Sequence, residues 1–511
     1  MPFSGPKRVS RNRYRNVMSI VPALILLVGA FAYTTWRIPI TLDELGSWGF
    51  AHSSLGQLIQ ATFAQGQAPL YFTALWLWRL LVGDSVIGLR LLSLLLAVAT
   101  LITVHLASRL MFGKRVAGFV TLFFSGSSLF WLYGLLARPY ALGNFLEAFI
   151  LFLAILYARR GSWKALAFSG IAAAALVLTH FFYLIPLPLM AVFTGVVSRR
   201  YRRCFYWSLC VGIGCAVGVV LLLPLFSQNV TGLHGLAYRE PPIWDDLTRA
   251  IITTDWMPLA VSFLFFRLVR PRVFMQSKYH CTTQVISTGL LTAVFPLLVL
   301  FGLSSYTGAT LFLDRYFSPT ILFSALSMGV ILSTFKRKAF CIALSVLAVG
   351  VSIAHAIVTA ETSTRIEGLT NEEQKEILRN VHVAACPLFA STGFIETAST
   401  QKLLNPNLRP FLEAPIRFFG DEDFTLLPMK VYPGAVVYWN NEIEPVLKRT
   451  MCADIIATNF PYPKGSSEPL AVYIAERLPE LGFRFEIYDS HRYFLFVRAI
   501  RPPHELRQSI P

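Results

Sequence analysis

Long apolar runs separated by short polar clusters fill the first 360 residues of this 511-residue chain. A helix needs about 20 apolar residues to cross a bilayer core of about 30 Å. Runs of that kind lie near residues 17–36, 89–108, 116–135, 141–158, 165–179, 181–198, 204–226, 251–268, 284–303, 316–334 and 339–358. They predict a polytopic bundle of about eleven transmembrane helices, because only helices or closed barrels satisfy their backbone within lipid. One further apolar stretch, Pro69 to Val82, is shorter and carries Tyr71, Trp76, Trp78 and Arg79, residue types that suit the membrane–water boundary. It is read as an interfacial helix within a long first outer loop, Arg37 to Gly88.

The polar clusters give the topology. Every second connection is basic: Arg109/Lys114/Arg115, Arg159/Arg160/Lys164, Arg199/Arg200/Arg202/Arg203, Arg267/Arg270/Arg272/Lys278 and Lys336/Arg337/Lys338. The positive-inside rule makes these loops cytoplasmic. Residues 1–16 form a basic tail ahead of the first run, which is too long for a signal-peptide core and reads as an uncleaved first helix. Acids are scarce before residue 361, being Asp43, Glu44, Asp84, Glu147, Glu240, Asp245, Asp246, Asp255 and Asp314. All except Glu147 and Asp255 fall in the other set of connections, and Asp255 sits near the outer end of its run, so two charge signals agree. Counting Pro69–Val82 as a twelfth span would invert every later loop.

From Glu361 onward the pattern changes to alternating short helix and strand signals. NEEQKEILRN (371–380) reads as a helix and VHVAAC (381–386) as a buried strand. CADIIATN (452–459) is strand-like, LAVYIAERLPELG (470–482) is an amphipathic helix ended by Gly482, and FRFEIYDSHRYFLFVR (483–498) is a hairpin. The predicted organisation is therefore a basic tail (1–16), a multi-span domain (17–360) and a small extracytoplasmic α/β domain (361–511). Composition agrees with this division: 55% of residues are hydrophobic, 14% are charged, and the mean hydropathy is +0.56. The net charge of +17 is explained by the loop clusters rather than by a nucleic-acid surface. Five cysteines lie in or near spans without metal-site spacing. For Cys386 and Cys452, a disulfide and two buried thiols both fit.

Four places carry candidate chemistry. Asp43 and Glu44 in T-L-D-E-L sit just past the first span, where a carboxylate suits a general base for an acceptor hydroxyl or amine, or a ligand for a divalent cation. A topology-setting acidic turn is the structural alternative. Arg138 in A-R-P-Y-A-L and Arg315 in L-D-R-Y-F-S-P start helices at the outer side, where a guanidinium can grip phosphate or snorkel to headgroups. Glu147 is an acid placed well within a span, and an ionisable group there is a functional candidate by default. Tyr71, Tyr140, Asn144, His180 and Tyr316 complete a set of candidate pocket residues, with His180 read first as structural.

These motifs recur in one order: a first span ending in D-E, then A-P-L-Y-F, G-D-S-V-I-G-L-R-L-L-S, A-R-P-Y-A-L and D-R-Y-F-S-P. Over residues 17–335 the chain resembles the GT-C superfamily of integral-membrane glycosyltransferases. The branch it resembles holds the protein O-mannosyltransferases and lipid A aminoarabinose transferases. The resemblance implies a sugar donor on polyprenyl phosphate and a lipid, glycan or protein acceptor, with transfer by inversion at the extracytoplasmic face of a bacterial inner (plasma) membrane. It selects Asp43 over Glu44 as the base and assigns Arg138 and Arg315 to the donor phosphate. No cofactor beyond a possible divalent cation is implied. Three positions depart from the relatives: Gln67-Ala68-Pro69 replaces a His-Pro-Pro or Lys-Pro segment, Leu136 replaces a Glu, and Asn144 stands near a second acid for which Glu147 is the substitute. A transporter or flippase of lipid-linked sugars is the competing expectation, disfavoured because the polar residues gather at the outer face rather than at the midplane.

Overall fold

The computed structural model describes residues 20–229, 241–253, 280–308, 311–335, 337–367, 386–392, 400–418, 423–428, 433–458, 470–491 and 494–502. The chain divides into two compact units, residues 1–37 with 66–360 and residues 38–65 with 361–511. Residues 38–65, read from sequence as part of the membrane domain, thus group with the C-terminal segment.

The first unit is a helical bundle. Among the described residues, seven helices are long and apolar enough to cross a membrane: Val86–Phe112, Tyr140–Arg160, Phe181–Ser198, Tyr201–Leu223, Thr283–Thr307, Asp314–Ser333 and Ala339–Glu361. Val21–Arg37 and Trp163–Val177 are shorter apolar helices of 17 and 15 residues. The helix Asp314–Ser333 lies at the centre, with every residue from Ile321 to Leu332 buried. Its serine hydroxyls are satisfied within the helix: Ser324 Oγ donates to Ile321 O at 3.0 Å and Ser327 Oγ to Phe323 O at 2.8 Å, so both sit in the core with their hydrogen bonds made. Arg90 is fully buried and donates to the Thr34 carbonyl, tying helix 86–112 to the end of helix 21–37.

The run 116–135 does not form one span. Helix Lys114–Ser125 ends at Gly126, and a short helix, Ser128–Tyr133, follows with Ser127 Oγ accepting from Phe130 N at 3.2 Å. The Ser125-Gly126-Ser127 step favours a cap over a continued helix, a break that apolarity alone does not reveal. The segment expected to be interfacial forms helix Leu70–Val82 of 13 residues, about 20 Å long at helical rise, which is short of a bilayer core. The span expected at 251–268 is described only to residue 253. The N-terminal basic tail, the basic loop 267–278 and the helix and strand expected across 371–385 also lie outside the described residues.

The second unit contains a mixed five-stranded sheet of order β2-β1-β3-β5-β4, built from β1 (Leu388–Ala390), β2 (Phe424–Leu426), β3 (Cys452–Thr458), β4 (Arg484–His491) and β5 (Phe494–Ile500). β1 runs parallel to β2 and β3, while β5 is antiparallel to β3 and β4. The helix Leu470–Glu480 and the β4–β5 hairpin match the sequence expectation. Asp454 of β3 stands directly opposite Arg498 of β5, with the guanidinium donating from Nε at 2.8 Å and from Nη2 at 3.3 Å. This two-point contact compensates a carboxylate that is fully buried. Cys386 and Cys452 form a disulfide. The register explains why, since Leu388 of β1 pairs with Asp454 of β3 and the two cysteines lie two residues before each.

Candidate functional site

In the first unit, the expected site residues other than Asp43 and Glu44 fall into one connected neighbourhood. A tight turn precedes Arg138, whose backbone N–H donates to Leu136 O at 2.7 Å, two residues back. Ser93 Oγ donates to the same carbonyl at 2.6 Å, and Tyr71 Oη lies 3.3 Å from Ser93 Oγ. Tyr71, Ser93 and Leu136 therefore form a buried chain that fixes the backbone just ahead of Arg138. Pro139 then starts helix Tyr140–Arg160, with Gly143 N–H donating to its carbonyl at 2.9 Å. The Arg138 side chain is held buried at that helix start.

His180 is the hub of an aromatic cluster. It occupies the break between helix Trp163–Val177 and the short 3-10 helix Phe181–Leu184. Its ring centroid lies 5.4 Å from Tyr140, 5.2 Å from Phe182, 6.1 Å from Tyr183 and 5.8 Å from Tyr316. Burial, then the positive charges of Arg138 and Arg315, push its imidazole down to about 3, which keeps the ring neutral. Its Nδ1 is enclosed and has no hydrogen-bond partner, although an edge of the residue keeps some exposure. The Arg315 guanidinium carbon lies 5.3 Å from the Tyr316 ring centroid in the 3-10 segment Asp314–Thr320.

Below this cluster, Tyr183 Oη donates to Asn144 Oδ1 at 2.9 Å and to Tyr140 O at 3.2 Å. Gly143 makes this packing possible, because a Cβ there would overlap the Tyr183 ring. Glu147, one turn further along, is an electrostatic neighbour of Tyr183. It is 1% exposed, and its Oε1 has no hydrogen-bond partner. Asn144 Nδ2 is likewise unpartnered. Sequence reasoning missed Tyr183, Ser93 and Gly143. The H-F-F-Y run was a signal for the first, but the other two become informative only through tertiary contacts.

Asp43 and Glu44 lie in the second unit, in the first turn of helix Leu42–His52. They have different environments. Thr41 and Glu44 form a capping box: Glu44 N–H donates to Thr41 Oγ1 at 3.2 Å, and Thr41 N–H donates to Glu44 Oε2 at 3.1 Å. Glu44 is fully buried. Asp43 remains partly exposed at the same helix start. The T-x-x-E spacing announces this cap in the sequence and gives Glu44 a structural role. As for a divalent cation, no group of three or more His, Cys, Asp or Glu residues gathers among the described residues. The Glu44 carboxylate is engaged in its cap through Oε2.

No protein-family model matches the sequence, and no curated protein matches it. Solved structures do. ArnT from Cupriavidus metallidurans bound to undecaprenyl phosphate matches with a TM-score of 0.58 at 12% identity, over 94% of this chain and 97% of that one. The same protein in the apo state gives 0.58 at 13% identity with the same coverage. The archaeal oligosaccharyltransferase AglB from Archaeoglobus fulgidus, in complex with an inhibitory peptide and a dolichol-phosphate, gives 0.46 at 12% identity, over 94% and 74%. Identity at this level speaks to fold. Along nearly its whole length, the chain shares the fold of these ArnT structures.

Proposed function

We propose that this protein is a membrane glycosyltransferase that moves a sugar from a polyprenyl-phosphate donor to a lipid, glycan or protein acceptor at the extracytoplasmic face. The observation that carries this reading is the aromatic cluster around His180, which includes Tyr140 and Tyr316, with Arg315 over the Tyr316 ring and both Arg138 and Arg315 acting electrostatically on the imidazole. Guanidinium groups of this kind suit the phosphate of a lipid-linked donor, which they can contact at two points. The fold-level relative bound to undecaprenyl phosphate supplies the class of anion to test.

In the proposed reaction, Asp43 takes the proton from the acceptor hydroxyl or amine as its oxygen or nitrogen attacks the anomeric carbon. The bond from that carbon to the phosphate oxygen breaks on the opposite face, which inverts the centre. The electron pair leaves with the polyprenyl phosphate, whose charge Arg138 and Arg315 stabilise. Preorganised cations at a leaving phosphate act where charge develops, which is where electrostatic catalysis is strongest. Asp43, partly exposed, suits a base better than Glu44, whose carboxylate closes a helix cap. No step is routed through a metal ion.

The phosphate role is tested by Arg138→Lys and Arg315→Lys, which keep the charge but lose the planar two-point grip. Each is expected to weaken binding of undecaprenyl phosphate to the purified full-length protein, and to slow release of that lipid phosphate from a panel of undecaprenyl-phosphate-linked hexoses and pentoses by roughly 10²-fold, as for loss of one preorganised donor. Unchanged binding and turnover in both variants would remove the phosphate clamp from the account.

A further inference from the structure

Helix Leu42–His52 is unusually enclosed for a segment beginning just beyond a membrane span. Glu44 and every residue from Leu45 to Ala51 are buried. Within the second unit the helix packs against helix Leu55–Gln65 and, across a long stretch of sequence, against the two short helices Arg409–Leu412 and Ala414–Arg417. Phe50 stacks on Phe411 with ring centroids 4.9 Å apart and planes 18° from parallel. Trp48 meets Phe418 edge-on at 5.2 Å. Between these aromatic contacts lies Gly49, where a Cβ would overlap the Pro410 carbonyl oxygen and come within 2.8 Å of Ala414 Cβ. A backbone carbonyl cannot swing aside as a flexible side chain can, so any side chain at 49 forces the helix to move.

We infer that the segment 409–418 of the C-terminal domain is the seat that positions Asp43, and that Gly49 is the positioning residue setting the depth of the helix in that seat. The inference rests on the reading of Asp43 as the base. Asp43 occupies the first turn of this helix, six residues before Gly49, and the helix is a stiff body held at its start by the Thr41–Glu44 capping box. A shift imposed at Gly49 is transmitted to the Asp43 carboxylate. The C-terminal domain then contributes directly to turnover, because its residues hold the base without touching the reacting atoms. Displacing a catalytic group by about 1 Å lowers rate on the order of 10²-fold, while the donor, gripped elsewhere, binds as before.

A neighbouring glycine provides the control. Gly56, in helix Leu55–Gln65, has nothing within 4 Å of the position a Cβ would take. The experiment compares Gly49→Ala with Gly56→Ala in full-length protein reconstituted in proteoliposomes with the undecaprenyl-phosphate-linked sugar panel, reading release of undecaprenyl phosphate. Gly49→Ala is expected to lower kcat by roughly 10²-fold with the donor KM unchanged, and to speed hydrogen exchange on residues 42–52. Gly56→Ala is expected to match the wild type in both readouts. If Gly49→Ala does not accumulate, Phe411→Leu, which removes the stack without adding volume, carries the test with the same expected split between kcat and KM. Wild-type kcat in the tested variant, an equal loss in Gly56→Ala, or a raised KM at unchanged kcat would each overturn the inference. Asp43→Asn run alongside separates the two layers. An inactive Asp43→Asn with a fully active Gly49→Ala sinks the positioning role alone, whereas a fully active Asp43→Asn sinks the base on which it depends.

Discussion

Gly143→Ala tests the packing beneath the aromatic cluster with one methyl group. Alanine is the better helix former, which favours the variant by about 1 kcal/mol at an unobstructed helix position. At residue 143, however, the new Cβ would overlap the Tyr183 ring. Overpacking of this kind costs about 1–3 kcal/mol. Displacing the ring also breaks the bonds from Tyr183 Oη to Asn144 Oδ1 and Tyr140 O, worth about 1 kcal/mol each. The balance is a destabilisation of about 2–4 kcal/mol if the ring moves and both bonds are lost. Gly302, where nothing lies within 4 Å of a Cβ position, is the matched control, and Gly302→Ala is expected to be neutral or slightly stabilising. Tyr183→Phe keeps the packing and removes the two bonds, so its loss is expected at about 1–2 kcal/mol. Thermal unfolding of the detergent-solubilised variants measures all three. A Gly143→Ala protein as stable as Gly302→Ala would refute the packing of Tyr183 against helix 140–160.

Two further outcomes follow from other parts of the chain. Cys386→Ser opens a bridge between residues 66 apart in sequence and is expected to cost the second unit about 4 kcal/mol, the range for loops of that size. Maleimide labelling of the unfolded, unreduced protein checks the pairing, and labelling of Cys452 in the wild type without reductant would contradict it. Thr41→Ala removes one half of the capping box and is expected to lower the protection of helix 42–52 against hydrogen exchange by about 1 kcal/mol. Unchanged exchange would show that the cap contributes nothing to the helix.

Much of the membrane fold was legible because its signal is long and one-dimensional. A run such as 316–334 is apolar throughout, and the corresponding helix proves to be the buried centre of the bundle. The signal fails where a short polar step acts within an apolar run. Ser125-Gly126-Ser127 splits the expected span 116–135, yet hydropathy averages straight across it. In the C-terminal domain, the seven- and eight-residue strands β3, β4 and β5 matched their sequence pattern. The three-residue strands β1 and β2 are too short to show a period. The pairing of Cys386 with Cys452 depends on the register of β1 against β3, which no spacing in the sequence encodes.

The candidate site divides in the same way. Arg138 and Arg315 were legible as cations at helix starts, whereas their common electrostatic effect on the His180 imidazole arises only from the tertiary fold. Glu44 is readable as a capping residue from T-x-x-E, a structural role distinct from both a general base and a topology-setting turn. The grouping of residues 38–65 with the C-terminal segment had no local signal at all. It arises from contacts such as Phe50 on Phe411, made across more than 300 residues of chain.

The central claim is that the protein transfers a sugar from lipid phosphate, with Asp43 as base. Its most direct test is Asp43→Asn against wild type in proteoliposomes supplied with the undecaprenyl-phosphate-linked sugars and a membrane lipid and glycan extract as acceptor. Undecaprenyl phosphate and glycosylated product are quantified together by mass spectrometry. The account predicts matched release and product formation by the wild type, and neither by Asp43→Asn at equal abundance and equal binding of undecaprenyl phosphate. Full product formation by Asp43→Asn, or movement of intact donor across the vesicle without release by the wild type, would contradict it.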